Sequence, residues 1–469
     1  MKNSLFQYVF ITLGCWLIFL PAFAQKTTPK TPPNIIIILA DDLGWRELGC
    51  YGNRNDGSRF NETPNLDRLA REGMRFTQAY ATAPVCTPTR IALMTGQHPA
   101  RVGITDYLDV KDEKFLSPEY VTLNEQLKQA GYHCGLIGKW HLTGDYALRR
   151  GEPAKHGWDE VICSETAYIA NGDYIHPYFF MPDVQAKTEG EYLTDRLNQE
   201  AVDFIKRSQI KENRSGLAKP FFLYLSHYAV HTKLAGKPDK VAKYRQKPGA
   251  GTRQNNPELA AMLESIDEGV GKIIDTLKEL GLTENTLILF TSDNGGESNV
   301  TSNAPLRGGK SELYEGGIRE PFIAHWPGTI KSGVVSEQVV NTLDIYPTLL
   351  ELAAKKPAAN QILDGISLAP VLKGKTKLFP RTLYWHYPLP KPHFLGGRSA
   401  GAIRSGDFKL IEYFDTNQVQ LFNLANDLSE QNDLSEKLPA KRRELINQLQ
   451  AWRRKTLSTS LIPVTQSGK

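Results

Sequence analysis

Cysteine is scarce in this sequence, and no two cysteines are spaced to share a metal ion. The chain of 469 residues contains Cys15, Cys50, Cys86, Cys134 and Cys163. The absence of any Cys-x-x-Cys pair argues against a zinc ribbon. Internal repeats and low-complexity tracts are also missing, and 41% hydrophobic with 23% charged residues is ordinary for a globular protein.

A strong net charge is missing as well. Lysine and arginine number 56 against 51 aspartate and glutamate residues, which gives a net charge of +5. So small an excess does not predict a nucleic-acid-binding surface. A mild positive bias nevertheless suits an anionic substrate.

The N-terminus has the pattern of a secretory signal peptide over residues 1–24. Lys2 precedes an apolar run over positions 5–23, and the small residues around Ala24 predict cleavage after it. We therefore expect a secreted or periplasmic protein without stable membrane insertion. An uncleaved anchor is the alternative, because the run is nearly long enough to span a bilayer. Residues 25–33, rich in lysine, threonine and proline, predict a disordered linker.

Four short apolar runs predict strands that are buried on both faces of a mostly parallel sheet. They span Asn34–Ala40, Tyr132–Ile137, Pro220–Leu225 and Thr286–Ser292. Helical patterns span Thr63–Gly73, Thr122–Ala130, Glu191–Ser208, Glu258–Leu280 and Thr342–Leu352. Strands that alternate with helices predict an α/β main domain, which we assign to residues 34–380.

The pattern changes after residue 380. Short strands at hairpin spacing span Thr382–Tyr387, Ser399–Arg404, Phe408–Tyr413 and Gln418–Asn423. A charged amphipathic helix follows over Leu438–Lys455. We therefore predict a C-terminal α+β subdomain over residues 381–469, with a small antiparallel sheet and one helix.

Each predicted strand of the main domain ends in polar or titratable residues. They are Asp41 and Asp42 after the first strand, Lys139 and His141 after the second, His227 and His231 after the third, and Asp293 and Asn294 after the fourth. Carboxyl ends of parallel strands form the edge where α/β sheets bind ligands. Adjacent buried carboxylates are costly unless a cation holds them. Oxygen donors without thiolate or histidine favour a hard ion such as Ca²⁺ over zinc. In an extended loop, Lys139 and His141 would face the same side.

A glycine-rich segment spans positions 306–317 and contains Lys310. It lacks the Walker spacing, so it does not predict a nucleotide site. Its glycines would instead let Lys310 approach a buried anion closely.

The sequence Cys-Thr-Pro-Thr-Arg occupies positions 86–90. Proline is tolerated in the first turn of a helix, and Ile91–Met94 predicts a short buried helix that ends at Gly96. Cys86 is then expected at a helix N-terminus, where backbone N–H groups attract anions, with the Arg90 cation one turn along. Taken alone, a single cysteine is more often a small buried apolar residue.

The pattern Cys-x-Pro-x-Arg, followed by Thr-Gly, resembles the signature of the type I, formylglycine-dependent sulfatases of the alkaline phosphatase superfamily. Further segments are similar to this family in the same order along the chain. These are Asp41-Asp42, Gly-Lys-Trp-His-Leu over positions 138–142, His231, Asp293-Asn294-Gly295 and Gly309-Lys310. The resemblance implies an alkaline-phosphatase-like α/β fold with a smaller C-terminal sheet. It therefore covers most of the mature chain.

The resemblance also implies a mechanism. Cys86 would be oxidised to 3-oxoalanine (formylglycine) by a formylglycine-generating or sulfatase-maturing enzyme, leaving an odd number of cysteines that argues against a disulfide framework. One Ca²⁺ would be held by Asp41, Asp42, residue 86, Asp293 and Asn294. A hydroxyl of the hydrated aldehyde would attack sulfur. The other roles implied are diol stabilisation by Arg90, sulfate binding by Lys139 and Lys310, proton donation to the leaving alcohol by His231 and proton removal from the diol by His141.

Two other functions stay open at this point. A phosphoester hydrolase of the same superfamily is one, although two-metal sites of that kind usually carry additional histidine and aspartate ligands. A sulfated-glycan-binding protein whose Cys86 is never oxidised is the other. The sulfatase interpretation predicts a sulfated saccharide substrate. We also note His227, His325, His386 and Arg398 as candidate pocket groups without a spacing argument.

Overall fold

The central strand of the main sheet is a continuous run of aliphatic residues. All seven residues of β1 (Asn34–Ala40) are buried. Along it, Ile35 and Ile37 join the apolar core on one face of the sheet, and Ile36 and Ile38 join the core on the other. A strand that is covered on both faces needs apolar side chains at every position, which explains why the sequence does not alternate.

The computed structural model describes residues 32–52, 60–168, 173–210, 219–375 and 378–458. The predicted signal peptide, and the predicted linker up to residue 31, lie outside these ranges. The other strands of the main sheet are β2 (Met74–Tyr80), β3 (His133–Gly138), β4 (Glu160–Ile162), β5 (Phe221–Ser226), β6 (Thr286–Ser292), β7 (Arg319–His325) and β8 (Val334–Asn341). Their order is β4-β3-β5-β1-β6-β7-β2-β8.

Neighbouring strands are parallel except at β7, which is antiparallel to both β6 and β2. The four strands predicted from the sequence are β1, β3, β5 and β6, each within one residue of its expected bounds. The remaining four are short, alternate in polarity or contain charges and proline, so they carry no continuous apolar run.

Helices cover both faces of the main sheet. They are α1 (Pro64–Glu72), α2 (Cys86–Thr95), α3 (Pro99–Val102), α4 (Leu123–Gln129), α5 (Leu193–Ile210), α6 (Pro238–Arg245), α7 (Pro257–Glu279), α8 (Glu315–Ile318), α9 (Ile345–Leu352) and α10 (Ala369–Leu372). The predicted helices correspond to α1, α4, α5, α7 and α9. The last of these is preceded by a 3-10 turn over Thr342–Asp344. None of the described helices is both long enough and apolar enough to cross a membrane.

A second, four-stranded antiparallel sheet follows, as predicted. Its strands are β9 (Thr382–Tyr387), β10 (Ala400–Ser405), β11 (Phe408–Tyr413) and β12 (Val419–Asn423), in the order β12-β11-β10-β9. Helix α11 (Pro439–Ser458) buries Leu445 and Leu449 against one face of this sheet.

A buried ion cluster joins the small sheet to the main one. Lys409 on β11 is completely buried, and its Nζ lies 2.9 Å from an oxygen of Glu315 on α8 and 2.9 Å from an oxygen of Glu430. Glu315 also accepts a hydrogen bond from the Tyr80 hydroxyl at 2.7 Å and pairs with Arg319 at 3.0 Å. Residues 80, 315 and 319 border one edge of the main sheet, so the cluster fixes the small sheet against that edge.

We predict that Lys409→Met destabilises the protein by about 3–5 kcal/mol, because it leaves Glu430 buried without its cation and Glu315 with Arg319 as its remaining partner. Urea-induced unfolding of the purified variant measures this change. Lys441→Met is the matched control, since the pair between Lys441 and Glu444 lies on the surface and is worth at most about 0.5 kcal/mol. Equal losses in the two variants would contradict the prediction.

Candidate active site

The polar residues that follow the strands meet at one edge of the main sheet. The carboxyl ends of β1, β3, β5 and β6 lie there because these strands are parallel neighbours. Strand β7 is antiparallel to both β6 and β2, so β2 runs in the same direction as β6 and ends at the same edge. The segment after β2 therefore brings α2 and Cys86 to the edge that carries Asp41 and Asp293.

Three carboxylates form a buried cluster at this edge. Asp41, Asp42 and Asp293 each contribute an oxygen that lies within 4.8 Å of the other two. Asp42 has a left-handed backbone conformation with φ of 57°. Its N–H donates to Asp293 Oδ1 at 3.2 Å, and Asn294 Nδ2 donates to Asp42 Oδ1 at 2.8 Å. Asp41 Oδ1 and Asn294 Oδ1 are buried and accept no hydrogen bond from the described residues.

Arg90 pairs with this cluster from α2. Its Nε donates to Asp293 Oδ2 at 2.9 Å, and its Nη2 lies 2.7 Å from the same oxygen and 3.7 Å from Asp41 Oδ2. Nη1 donates to the Lys139 carbonyl at 3.1 Å and to Ser226 Oγ at 2.6 Å. Burial opposes the charge of Arg90, but Asp293 together with Tyr224, Asp41 and Cys86 outweighs it and raises the pKa of the guanidinium.

Two lysines neutralise the other carboxylates. Lys139 Nζ lies 2.5 Å from Asp41 Oδ2, and Lys310 Nζ lies 2.7 Å from Asp42 Oδ2. Burial alone would lower the pKa of each lysine, but the acidic groups around it, chiefly Asp41 for Lys139 and Asp42 for Lys310, together raise the pKa above its usual value. Both lysines are therefore cations at neutral pH. As expected, glycines permit the close approach of the Lys310 loop: a Cβ at Gly309 would lie 2.5 Å from a carbonyl oxygen.

Cys86 is the first residue of α2, as the sequence predicts, and its neighbours give it an unusual electrostatic environment. The helix ends at Gly96, which has a left-handed conformation with φ of 66°. The residue is 2% exposed. Burial raises the pKa of the thiol to about 11, while Lys139 and Lys310 oppose that rise. Residue 86 is therefore within electrostatic reach of the acidic cluster and its lysines.

Two histidines border the cluster. His141 has φ of 55°, so the extended backbone expected here is wrong. Its Nε2 contacts the Leu108 carbonyl at 2.9 Å and must carry the proton of that hydrogen bond, while its Nδ1 has no partner among the described residues. His231 Nε2 lies 3.7 Å from Asp42 Oδ2. Burial lowers the pKa of His141 far below its usual value, and burial with Lys310 lowers that of His231 to about 3.

The other candidate pocket groups are not among the contacts of the acidic cluster described above. The prediction for His325 is wrong, because this residue pairs with Ile288 near the start of β6, at the opposite edge of the sheet. His227 is fully buried, and burial lowers its pKa to about 3. His386 packs against Phe414. Arg398 is ion-paired with Asp415 at 2.8 Å.

Some site residues carry no signal in the sequence. Glu165 accepts hydrogen bonds from the backbone N–H groups of Trp140 and His141, at 3.0 and 2.5 Å, and from the Tyr228 hydroxyl at 2.7 Å. It thus ties the loop after β3 to the loop after β5. The sequence around position 165 contains no motif that predicts this role, because the contacts of Glu165 join parts of the chain that are distant in sequence.

The donor set fits a hard divalent cation. It offers carboxylate and amide oxygens only, and two of these oxygens are buried without a hydrogen-bond donor. Such an arrangement is costly unless a cation completes it. Within the described ranges this is the single cluster of three or more acidic, histidine or cysteine ligands. Asp41, Asp42, Asp293 and Asn294 could therefore hold one ion such as Ca²⁺.

Residues 33–355 match the family model described as Sulfatase, and residues 309–456 match one described as N-sulphoglucosamine sulphohydrolase, C-terminal. The first match covers well over half of the chain. The chain belongs to the sulfatase family. The resemblance read from the motifs is thus confirmed, and this sulfatase is a sulfuric ester hydrolase of the alkaline phosphatase superfamily.

Similar proteins extend over most of this sulfatase. It is 32% identical to a sulfatase of Formosa agariphila in an alignment that covers 93% of this chain and 92% of the relative. It is 36% identical to human N-acetylgalactosamine-6-sulfatase over 382 residues, 76% of this chain and 68% of that one. The solved structure of Ps i-CgsB has a TM-score of 0.79 at 31% identity, with 92% and 94% of the two chains covered. That protein was also solved in complex with k-i-k-neocarrahexaose.

We predict that Ca²⁺ raises the melting temperature of this sulfatase and that a chelator reverses the effect. An ion that binds only the folded state adds about 2.7 kcal/mol at a hundred times its dissociation constant. Differential scanning calorimetry over a Ca²⁺ titration measures the shift. Asp41→Asn should reduce it strongly, whereas Asp267→Asn, a buried aspartate outside the cluster, should keep it. An unchanged shift in Asp41→Asn would rule out this site.

Proposed function

We propose that this sulfatase hydrolyses sulfate esters of a saccharide with a formylglycine made from Cys86 and one bound Ca²⁺. The ion would be held by Asp41, Asp42, residue 86, Asp293 and Asn294. The observation that carries the proposal is the position of Cys86, at the start of α2 and within the electrostatic reach of Lys139, Lys310 and the acidic cluster. Formylglycine would supply a hydrated aldehyde as nucleophile, and Ca²⁺ would polarise a sulfate oxygen.

The chain's own cations would bind the sulfate group. Lys139 and Lys310 are buried, protonated and already fixed by ion pairs, so they need little reorganisation when charge builds up on the sulfate oxygens. The N-terminus of α2 adds backbone N–H groups to the same side of the site. Arg90 would hold residue 86 in place through its own helix while it neutralises Asp293.

His141 would act as a base toward residue 86. Its Nε2 proton is engaged by the Leu108 carbonyl, which leaves the buried Nδ1 as a free acceptor among the described residues. Its lowered pKa keeps the ring neutral at physiological pH. It could then remove a proton from a hydroxyl on residue 86, which the release of sulfate requires.

His231 would donate a proton to the leaving alcohol. Its Nδ1 lies 2.6 Å from the Thr232 carbonyl, so Nε2 is the nitrogen that faces Asp42 and the site. Burial and Lys310 lower its pKa in this structure. The negative charge of a bound sulfate ester would act in the opposite direction and favour the imidazolium that a general acid needs.

A saccharide is the best-supported substrate class. Human N-acetylgalactosamine-6-sulfatase and Ps i-CgsB, which was solved with k-i-k-neocarrahexaose, are both similar to most of this chain. The signal pattern at residues 1–24 supports a secreted or periplasmic location. Because the Cys86 side chain is buried, we infer that the enzyme that converts it to formylglycine acts before this segment folds.

We predict that Cys86→Ala lowers kcat/KM for 4-nitrophenyl sulfate by about a thousandfold or more, because the covalent nucleophile is lost. Steady-state release of 4-nitrophenol measures it. Cys50→Ala is the matched control, since Cys50 is a half-exposed free cysteine outside the acidic cluster. Full activity in Cys86→Ala would refute the assigned nucleophile.

The same preparation separates the remaining alternatives. Mass spectrometry of the peptide that contains residue 86 should show it about 18 Da lighter than the cysteine form. An unmodified cysteine in protein from the native host, together with undetectable turnover, would favour a glycan-binding protein. Faster hydrolysis of 4-nitrophenyl phosphate than of the sulfate would favour a phosphoester hydrolase.

A further inference from the structure

Three aromatic side chains form a row that begins beside the active site and ends in solvent. The ring of Tyr107 meets the ring of His393 edge to face, with centroids 5.5 Å apart. His393 stacks on Phe394 with centroids 4.3 Å apart and an angle of 28° between the planes. Phe394 is 77% exposed. Contact with a ligand would recover the hydrophobic free energy that this exposed ring forgoes. We call these three residues the aromatic row.

The inner end of the row is fixed to the site. Tyr107 precedes Leu108, whose N–H donates to Thr87 Oγ1 at 3.1 Å and whose carbonyl contacts His141 Nε2 at 2.9 Å. Thr87 is the second residue of α2, directly after Cys86. The backbone of Leu108, the residue after Tyr107, therefore links the nucleophile segment to the proposed base.

The outer part of the row is fixed to the Lys310 loop. His393 and Phe394 lie in the loop between β9 and β10 of the small sheet. In that loop, the Gly397 N–H donates to Ser311 Oγ at 3.1 Å. A Cβ at Gly397 would lie 2.0 Å from the Ser311 carbonyl oxygen, so only glycine permits this approach.

The base of the same loop has a second attachment. The Tyr387 hydroxyl, at the end of β9, donates to Asp106 Oδ1 at 3.2 Å. Within the loop, the His393 N–H donates to the Gly397 carbonyl at 2.7 Å, which closes a turn under the two rings. The loop that carries His393 and Phe394 is therefore held at both of its ends, by one contact next to Tyr107 and one next to Lys310.

We propose that the aromatic row binds the apolar face of a sugar ring that adjoins the sulfated sugar. The inference rests on the proposed function above. The C–H face of a pyranose ring packs on aromatic side chains, and such rigid rings bind at a low cost in side-chain entropy. The sulfated sugar must lie at residue 86, next to Tyr107. Phe394 lies two rings further out along the row, so a ligand that contacts it extends beyond the sulfated sugar. This sulfatase therefore prefers sulfated oligosaccharides to sulfated monosaccharides.

The test compares one sulfated monosaccharide with a hexasaccharide that contains the same sulfated sugar. The pair is chosen by screening wild type on sulfated galactose and sulfated N-acetylgalactosamine, each as a monosaccharide and within a hexasaccharide, and by taking the pair that it cleaves fastest. Phe394→Ala should lower kcat/KM for the hexasaccharide about tenfold, or ~1.4 kcal/mol, through a higher KM. It should leave the monosaccharide unchanged. Phe394→Trp should keep the hexasaccharide preference. Phe379→Ala is the matched control, because Phe379 is 90% exposed and lies before the other end of β9.

Three results would overturn the inference. Phe394→Ala could match Phe379→Ala on both substrates, it could lose activity equally on both, or wild type could already prefer the monosaccharide. Failure of the proposed function gives a different result, since wild type would then release no sulfate from either saccharide or from 4-nitrophenyl sulfate.

Discussion

The buried guanidinium of Arg90 joins the ends of four strands. It contacts Asp41 after β1, the Lys139 carbonyl after β3, Ser226 at the end of β5 and Asp293 after β6. A buried charge is costly unless its hydrogen-bonding groups are paired, and the planar guanidinium of arginine can donate hydrogen bonds to several acceptors at once. Because Arg90 lies one turn into α2, the same contacts set the position of the residue at the start of that helix. The geometry of the whole site therefore depends on this one side chain.

The charges around Arg90 couple the binding of a metal ion to the binding of an anionic substrate. The three carboxylates of the cluster face three permanent cations, Arg90, Lys139 and Lys310. Together these six groups are close to neutral, which makes their burial tolerable. A bound divalent ion would leave an excess of positive charge in a site of low dielectric constant. A sulfate ester would offset part of that excess, so metal and substrate should each strengthen the binding of the other.

The sequence predicted the parts of this site that depend on local pattern. Strands buried on both faces need unbroken apolar runs, and the polar residues after them are conspicuous, as at Asp41 and Asp293. Strand β7 has no such run, because it begins with arginine, glutamate and proline. Its direction, opposite to β6, is what places His325 at the far edge. The sequence also did not predict the backbone conformation of His141 or its contact with Glu165, because both depend on contacts between separate segments of the chain.

The small sheet supports the site as well as extending it. Lys409 anchors it to α8, which follows the loop that carries Lys310, and Gly397 joins it to Ser311 beside that lysine. The groups proposed to act on sulfate come from strand ends, a helix and a loop of the main domain, whereas Phe394 comes from a loop of the small sheet. Loops on a rigid support can change while the chemistry is kept. This division lets the loop change without disturbing the reacting groups, and the contact between Gly397 and Ser311 keeps the two parts in register.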